Sequence, residues 1–166
     1  MTSLIQLQCE QLAQLLLARQ ACMATAESCT GGMIATHCTH LSGSSAWFER
    51  GFVTYSNEAK TDMLGVPATL IAQHGAVSEE VAKAMALGAL AHSKARFSVA
   101  VTGIAGPTGG SPEKPVGTVW LAWASHNPAQ CISSRQVFSG DRQAVREATT
   151  ARHRQNPPVL NLQAAP

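Results

Sequence analysis

The sequence predicts a single α/β domain with a mixed sheet, and three observations carry that expectation. Short apolar runs of strand length alternate with stretches of helical periodicity along most of the 166 residues. Two of those runs, 22–26 and 97–102, end in glycine-rich turns, as strands do where they open on a ligand crevice. The last two, 116–125 and 130–138, are separated only by His126-Asn127-Pro128-Ala129. So short a connection makes a hairpin, and part of the sheet antiparallel.

Each element has its own warrant. Over 3–20, Leu4, Leu7, Leu12, Leu15, Leu16 and Leu17 recur near helical spacing, with glutamines between them, so an amphipathic helix opens the chain. The first strand follows at 22–26, then a polar turn and a helix to about Cys38. Leu41-Ser42-Gly43-Ser44-Ser45-Ala46 is a loop by composition. Aromatic and β-branched residues make 47–56 a strand, in which Gly51 marks a bulge or a close backbone approach. A short helix over 58–64 ends at Gly65 and Pro67, and a second occupies part of 67–76. Ser78 caps a longer helix to about Lys94, with Glu79 and Glu80 in its first turn and Gly88 marking close packing. After the hairpin, Asp141 caps a last helix to about Arg152, which Asn156-Pro157-Pro158 must end. Residues 1–155 then form the domain, and 156–166, without periodicity, a mobile tail.

Composition narrows the function. A net charge of +2 with no basic-aromatic surface argues against nucleic acid. No long apolar run or signal peptide is present, so the chain is expected in the cytoplasm, off the membrane. Cys9, Cys22, Cys29, Cys38 and Cys131 are odd in number and form no CxxC pair, so free thiols are expected. His37 and His40 lack a third ligand at suggestive spacing; no metal and no organic cofactor is implied. Charged residues make up only 13%, which leaves a surface suited to self-association.

The chemistry concentrates in Ala26-Glu27-Ser28-Cys29-Thr30-Gly31-Gly32. Ser28, Cys29 and Thr30 are all candidate nucleophiles there. The N–H groups at the start of the following helix lack helical partners and can hold a phosphate or an oxyanion. Adjacent side chains in an extended turn point apart, so Ser28 and Cys29 cannot both face a substrate. Lys60, in the first turns of the 58–64 helix, has an ammonium whose charge that helix end disfavours.

Four ordered motifs carry a resemblance: Ala26 to Gly32; Gly51-Phe52-Val53-Thr54-Tyr55-Ser56-Asn57-Glu58-Ala59-Lys60; Thr102-Gly103-Ile104-Ala105-Gly106-Pro107; and Lys114-Pro115-Val116-Gly117-Thr118-Val119. Together they resemble the CinA C-terminal domain, a family of nicotinamide-nucleotide amidases, in its free-standing form and over about residues 5 to 150. The resemblance implies a three-layer α/β/α sandwich and a homo-oligomer, a dimer being favoured. It implies hydrolysis of nicotinamide mononucleotide to nicotinic acid mononucleotide and ammonia in pyridine-nucleotide recycling. It assigns the nucleophile to Ser28, the family's lysine and tyrosine to Lys60 and Tyr55, and its late arginine to Arg142. Thr30, Gly31, Gly32, Thr102 and Gly103 become substrate-binding candidates. The chain departs from its relatives after Thr150, where their last helix continues with alanine and leucine.

On this reading Lys60 takes the proton of Ser28, which requires a lysine pKa lowered to about 7–8. Tyr55 relays that proton or orients the amine, and Arg142 grips the phosphate with two donors. The alternative is a non-catalytic nucleotide-binding module of the same fold.

Overall fold

The strand that ends at the polar turn, β1 (Met23–Glu27), lies inside a five-stranded sheet of order β2-β1-β3-β4-β5. The computed structural model describes residues 4–127 and 129–152. The expectation for the tail at 156–166 falls outside them. Strands β2 (Phe48–Val53) and β3 (Phe97–Gly103) flank β1 and run parallel to it. Strands β4 (Thr118–His126) and β5 (Ala129–Val137) form the expected antiparallel hairpin on the β3 side. The sheet is therefore mixed.

Helices cover both faces. On one lie α1 (Leu4–Ala18), α2 (Met33–Thr39) and α6 (Arg142–Arg152); on the other lie α3 (Asn57–Leu64), α4 (Ala68–His74) and α5 (Glu79–Ala91). This is a three-layer α/β/α sandwich. The sheet's two sides differ in bulk. Val99, Val101, Val119, Leu121 and Trp123 meet Leu12, Leu16, Ile34 and Val145 on the first side. Ala24, Ala26, Ala100, Ala122 and Ala124 meet α5 on the second. An alanine surface lets a helix backbone approach closely. Gly88 of α5 takes that further, since a methyl group there would collide with the Leu64 carbonyl.

Local signals place most boundaries. The Ser78 hydroxyl accepts from the Val81 N–H, as expected of a cap. Ser56 does the same for α3, which moves that helix's start forward to Asn57 and shortens the preceding strand to Val53. The Asp141 carboxylate accepts from Ala144 N at 2.9 Å and so caps α6. At Gly51 the expected close approach occurs: a methyl there would stand 2.9 Å from Thr25 Oγ1 and 3.2 Å from the Ala35 side chain. The irregularity in β2 pairing falls instead between Met23 and Ala24, whose partners are Phe48 and Arg50. No described helix is long and apolar enough to cross a membrane.

The topology makes one place special. From β1 the chain leaves through α2 to β2 on one side, and from β2 it crosses back through α3–α5 to β3 on the other. The carboxyl end of β1 is thus the point at which successive connections part to opposite faces, where α/β sheets open a crevice. Ser28 is the first residue after it.

Candidate active site

Ser28 is 9% exposed, and its N–H donates to the Val101 carbonyl at 3.0 Å, tying the turn to β3. From the other neighbouring strand, the turn after β2 and helix α3 deliver Lys60, which is 1% exposed. Lys60 Nζ lies 3.1 Å from Ser28 Oγ, 2.9 Å from the Thr54 carbonyl oxygen, 3.4 Å from that of Ser56 and 3.5 Å from that of Tyr55. A neutral amine has two donors and one lone pair. The carbonyls can take the donors, which leaves the lone pair for the Ser28 hydroxyl proton. Burial lowers the pKa of Lys60 from the ordinary lysine value, with the Cys29 and Glu58 charges opposing it in smaller measure.

Cys29 points elsewhere. It is 5% exposed within the α1/α2/α6 core, and a methyl at Gly103 would stand 3.1 Å from its Sγ. Burial pushes its thiol up to about 12, far from the activated range of a reactive cysteine. The two adjacent side chains do point apart, and Ser28 is the one that meets the Lys60 amine.

The N–H groups at the start of α2 are already engaged. Glu27, missed in the sequence reading, is fully buried and turns its carboxylate under the turn. Its oxygens accept from Gly32 N at 3.1 Å, Ile34 N at 3.0 Å, Ala35 N at 2.8 Å and Thr30 Oγ1 at 2.6 Å. Gly31 N donates to Ser28 O, and Met33 N to Thr30 O. The anion held at this helix end is the protein's own carboxylate, and these donors do not face the crevice. Gly31 and Gly32 have φ of +60° and +98°, which explains the glycine pair as a requirement of the turn. An acidic residue closing a strand that is otherwise apolar but for Thr25, just before a Gly-Gly turn, was the signal available for Glu27.

The remaining predicted residues lie around this centre. Tyr55 is 59% exposed, and its hydroxyl accepts from Arg142 Nη2 at 2.7 Å. The structure therefore puts the phenol on Arg142; only the Tyr55 main-chain carbonyl approaches the lysine amine. Arg142 also donates from Nη1 to the Gly106 carbonyl at 2.8 Å, so it joins the β2 and β3 loops. Thr102 is 1% exposed, and its hydroxyl donates to the Ala76 carbonyl at 2.8 Å. That bond anchors the turn before α5 and leaves the hydroxyl facing the helices. Gly103 ends β3 beside Cys29 and Val119, where no side chain would fit. Arg146, also missed, donates from Nε to the Cys29 carbonyl at 3.2 Å and from Nη2 to the Thr30 carbonyl at 3.0 Å. Its spacing of four from Arg142 was the signal for it, since that places both on one helix face.

The comparisons agree with this architecture. A curated relative from Escherichia coli K12, called nicotinamide-nucleotide amidohydrolase PncC, is 59% identical over 142 residues, covering 86% of each chain. One of the same name from Pseudomonas putida is 62% identical over 125 residues, 75% of this chain and 77% of that one. Among solved structures, the competence/damage inducible protein CihA from Agrobacterium tumefaciens superposes with a TM-score of 0.88 at 45% identity, covering 91% of this chain and 92% of that one. Residues 6–153 match the model of the CinA C-terminal domain. The chain belongs to the CinA C-terminal domain family.

Proposed function

We propose that this protein is a nicotinamide-nucleotide amidohydrolase, with Ser28 as nucleophile and Lys60 as its base. The observation that carries the reading is the 3.1 Å approach of a buried lysine amine to a serine hydroxyl at the sheet's switch point. The names of the relatives supply the substrate class.

The pair accounts for each proton. Neutral Lys60 takes the Ser28 hydroxyl proton as Oγ attacks the carboxamide carbon of nicotinamide mononucleotide. Lys60 then hands that proton to the amide nitrogen as the C–N bond breaks, releasing ammonia and leaving an ester on Ser28. Water attacks the ester while Lys60 takes its proton, and the proton returns to Ser28 as nicotinic acid mononucleotide departs. Three carbonyls around Nζ hold the amine in place through the cycle. Arg142 forms no ion pair among the described residues, so its charge remains for the substrate phosphate. Tyr55 lends its carbonyl to the amine and its phenol to Arg142.

The test is ammonia release from nicotinamide mononucleotide by the wild type, Ser28→Ala and Lys60→Ala. Loss in both variants with nucleotide binding retained supports the assignment. Binding without ammonia release by the wild type would instead establish a non-catalytic nucleotide-binding module.

A further inference from the structure

The loop that carries the nucleophile is poorly fixed by its own backbone. Residues 28–32 precede the α2 ladder, and two of them are glycines at positive φ, the residue type with most conformational freedom to lose. The loop's few internal bonds are Gly31 N to Ser28 O and Met33 N to Thr30 O. Ser28 N ties one end to the Val101 carbonyl and Gly32 O the other to α2; between them, two charged side chains hold the loop from opposite directions. Glu27 takes donors on the α2 side, and Arg146 gives donors to the carbonyls of Cys29 and Thr30. Arg146 can hold a firm position because α6 is anchored beside it by Val145 and Thr149, both fully buried. Among the described residues no carboxylate forms an ion pair with Arg146, and the described hydrogen bonds of its guanidinium go to the two loop carbonyls.

We infer that Arg146 is a positioning residue for catalysis: with Glu27 opposite, it holds the 28–32 loop so that Ser28 Oγ stays on the Lys60 amine. The inference rests on Ser28 as the nucleophile. Arg146 acts through the loop and not on the substrate, unlike Arg142 one turn earlier. A planar guanidinium with two parallel donors suits two successive carbonyls; an ammonium reaches them as a point charge. Misplacing a nucleophile by about 1 Å can cost 10²-fold in rate, so loss of this contact should appear in kcat.

The experiment measures kcat and KM for nicotinamide mononucleotide and for its dephosphorylated riboside in Arg146→Ala and Arg146→Lys, at a temperature where circular dichroism shows both folded. Arg146→Ala is expected to lose on the order of 100-fold in kcat with KM within twofold for both substrates. Arg146→Lys should recover part of that loss, and millimolar methylguanidinium should restore Arg146→Ala at least tenfold. The inference is overturned by unchanged kcat, by a KM increase confined to the phosphorylated substrate, or by a loss that tracks unfolded fraction and resists methylguanidinium. Ser28→Ala is run beside them. Activity surviving in it overturns the nucleophile assignment itself, whereas an inactive Ser28→Ala beside an unimpaired Arg146→Ala overturns the inference alone.

Discussion

Lys60 Nζ and Ser28 Oγ are 3.1 Å apart in a site where the lysine is 1% exposed, and this contact joins helix α3 to the turn after β1. Lys60→Arg keeps a positive charge but cannot accept a proton, because guanidinium stays protonated at any working pH. Ammonia release should fall by about 100-fold or more, the usual worth of a positioned base. Steady-state kinetics with nucleotide binding measured in parallel decides it. Near-wild-type turnover would remove Lys60 from the mechanism.

The pH dependence follows from the direction of the lysine shift. The proposed base role requires a neutral Lys60, and burial lowers its pKa from the ordinary value of 10.5. kcat/KM should therefore climb with pH through a single ionisation below 10.5 and level off above it. The same ionisation should persist in Cys29→Ala, because a thiol at about 12 titrates too high to produce it. A rise that disappears in Cys29→Ala would reassign the titrating group.

Cys29→Ala should keep most of the turnover number. The thiol is buried against Gly103, away from the amine, and removing it leaves the Ser28–Lys60 contact untouched. Some stability should be lost with the core sulfur, read as a lower Tm. A variant as inactive as Ser28→Ala would contradict the nucleophile assignment.

Arg142→Ala should act mainly on KM. A charge-assisted phosphate contact is present in both ground and transition states, and losing it raises KM with kcat little changed. The cost is expected at about 1.5–3 kcal/mol for the mononucleotide and much less for its riboside. Tyr55→Phe removes the hydroxyl that Arg142 holds at 2.7 Å, so it should move the same parameter in the same direction. A Tyr55→Phe effect confined to kcat would restore the phenol to the proton path.

Gly88→Ala is the corresponding test of packing. The added methyl would press on the Leu64 carbonyl, so thermal unfolding should show a loss of about 1–3 kcal/mol or more. An unchanged Tm would mean that α3 and α5 can separate freely.

These residues also show what could be read before any coordinates. The hairpin, the Ser78 cap and the close approaches at Gly51 and Gly88 follow from local chemistry, and each stands where it was expected. The meeting of Ser28 with Lys60 spans 32 positions of chain, and no local rule contains it; the ordered family motifs do. Reading the helix end as a free anion site failed for a related reason. Periodicity shows that α2 begins with unpaired N–H groups, but not that Glu27 folds back beneath them. For Tyr55, proximity in sequence points to the lysine amine, which its carbonyl approaches, but not to the phenol's contact with a helix from the far end of the chain.

The strand order has a consequence in time. Local contacts close quickly, whereas pairings between distant segments wait on costly loop closure. The β4–β5 hairpin is local, but β1 must pair with β3, in a register that puts Met23 beside Phe97. During synthesis from the amino terminus, Ser28 emerges before β3 and remains without its second neighbouring strand until residue 103 has followed. The contacts that hold its loop from α6 come later still. A nascent chain therefore carries Ser28 before the strand and the helix that come to surround it, and the 28–32 turn gains its last described contacts only with α6.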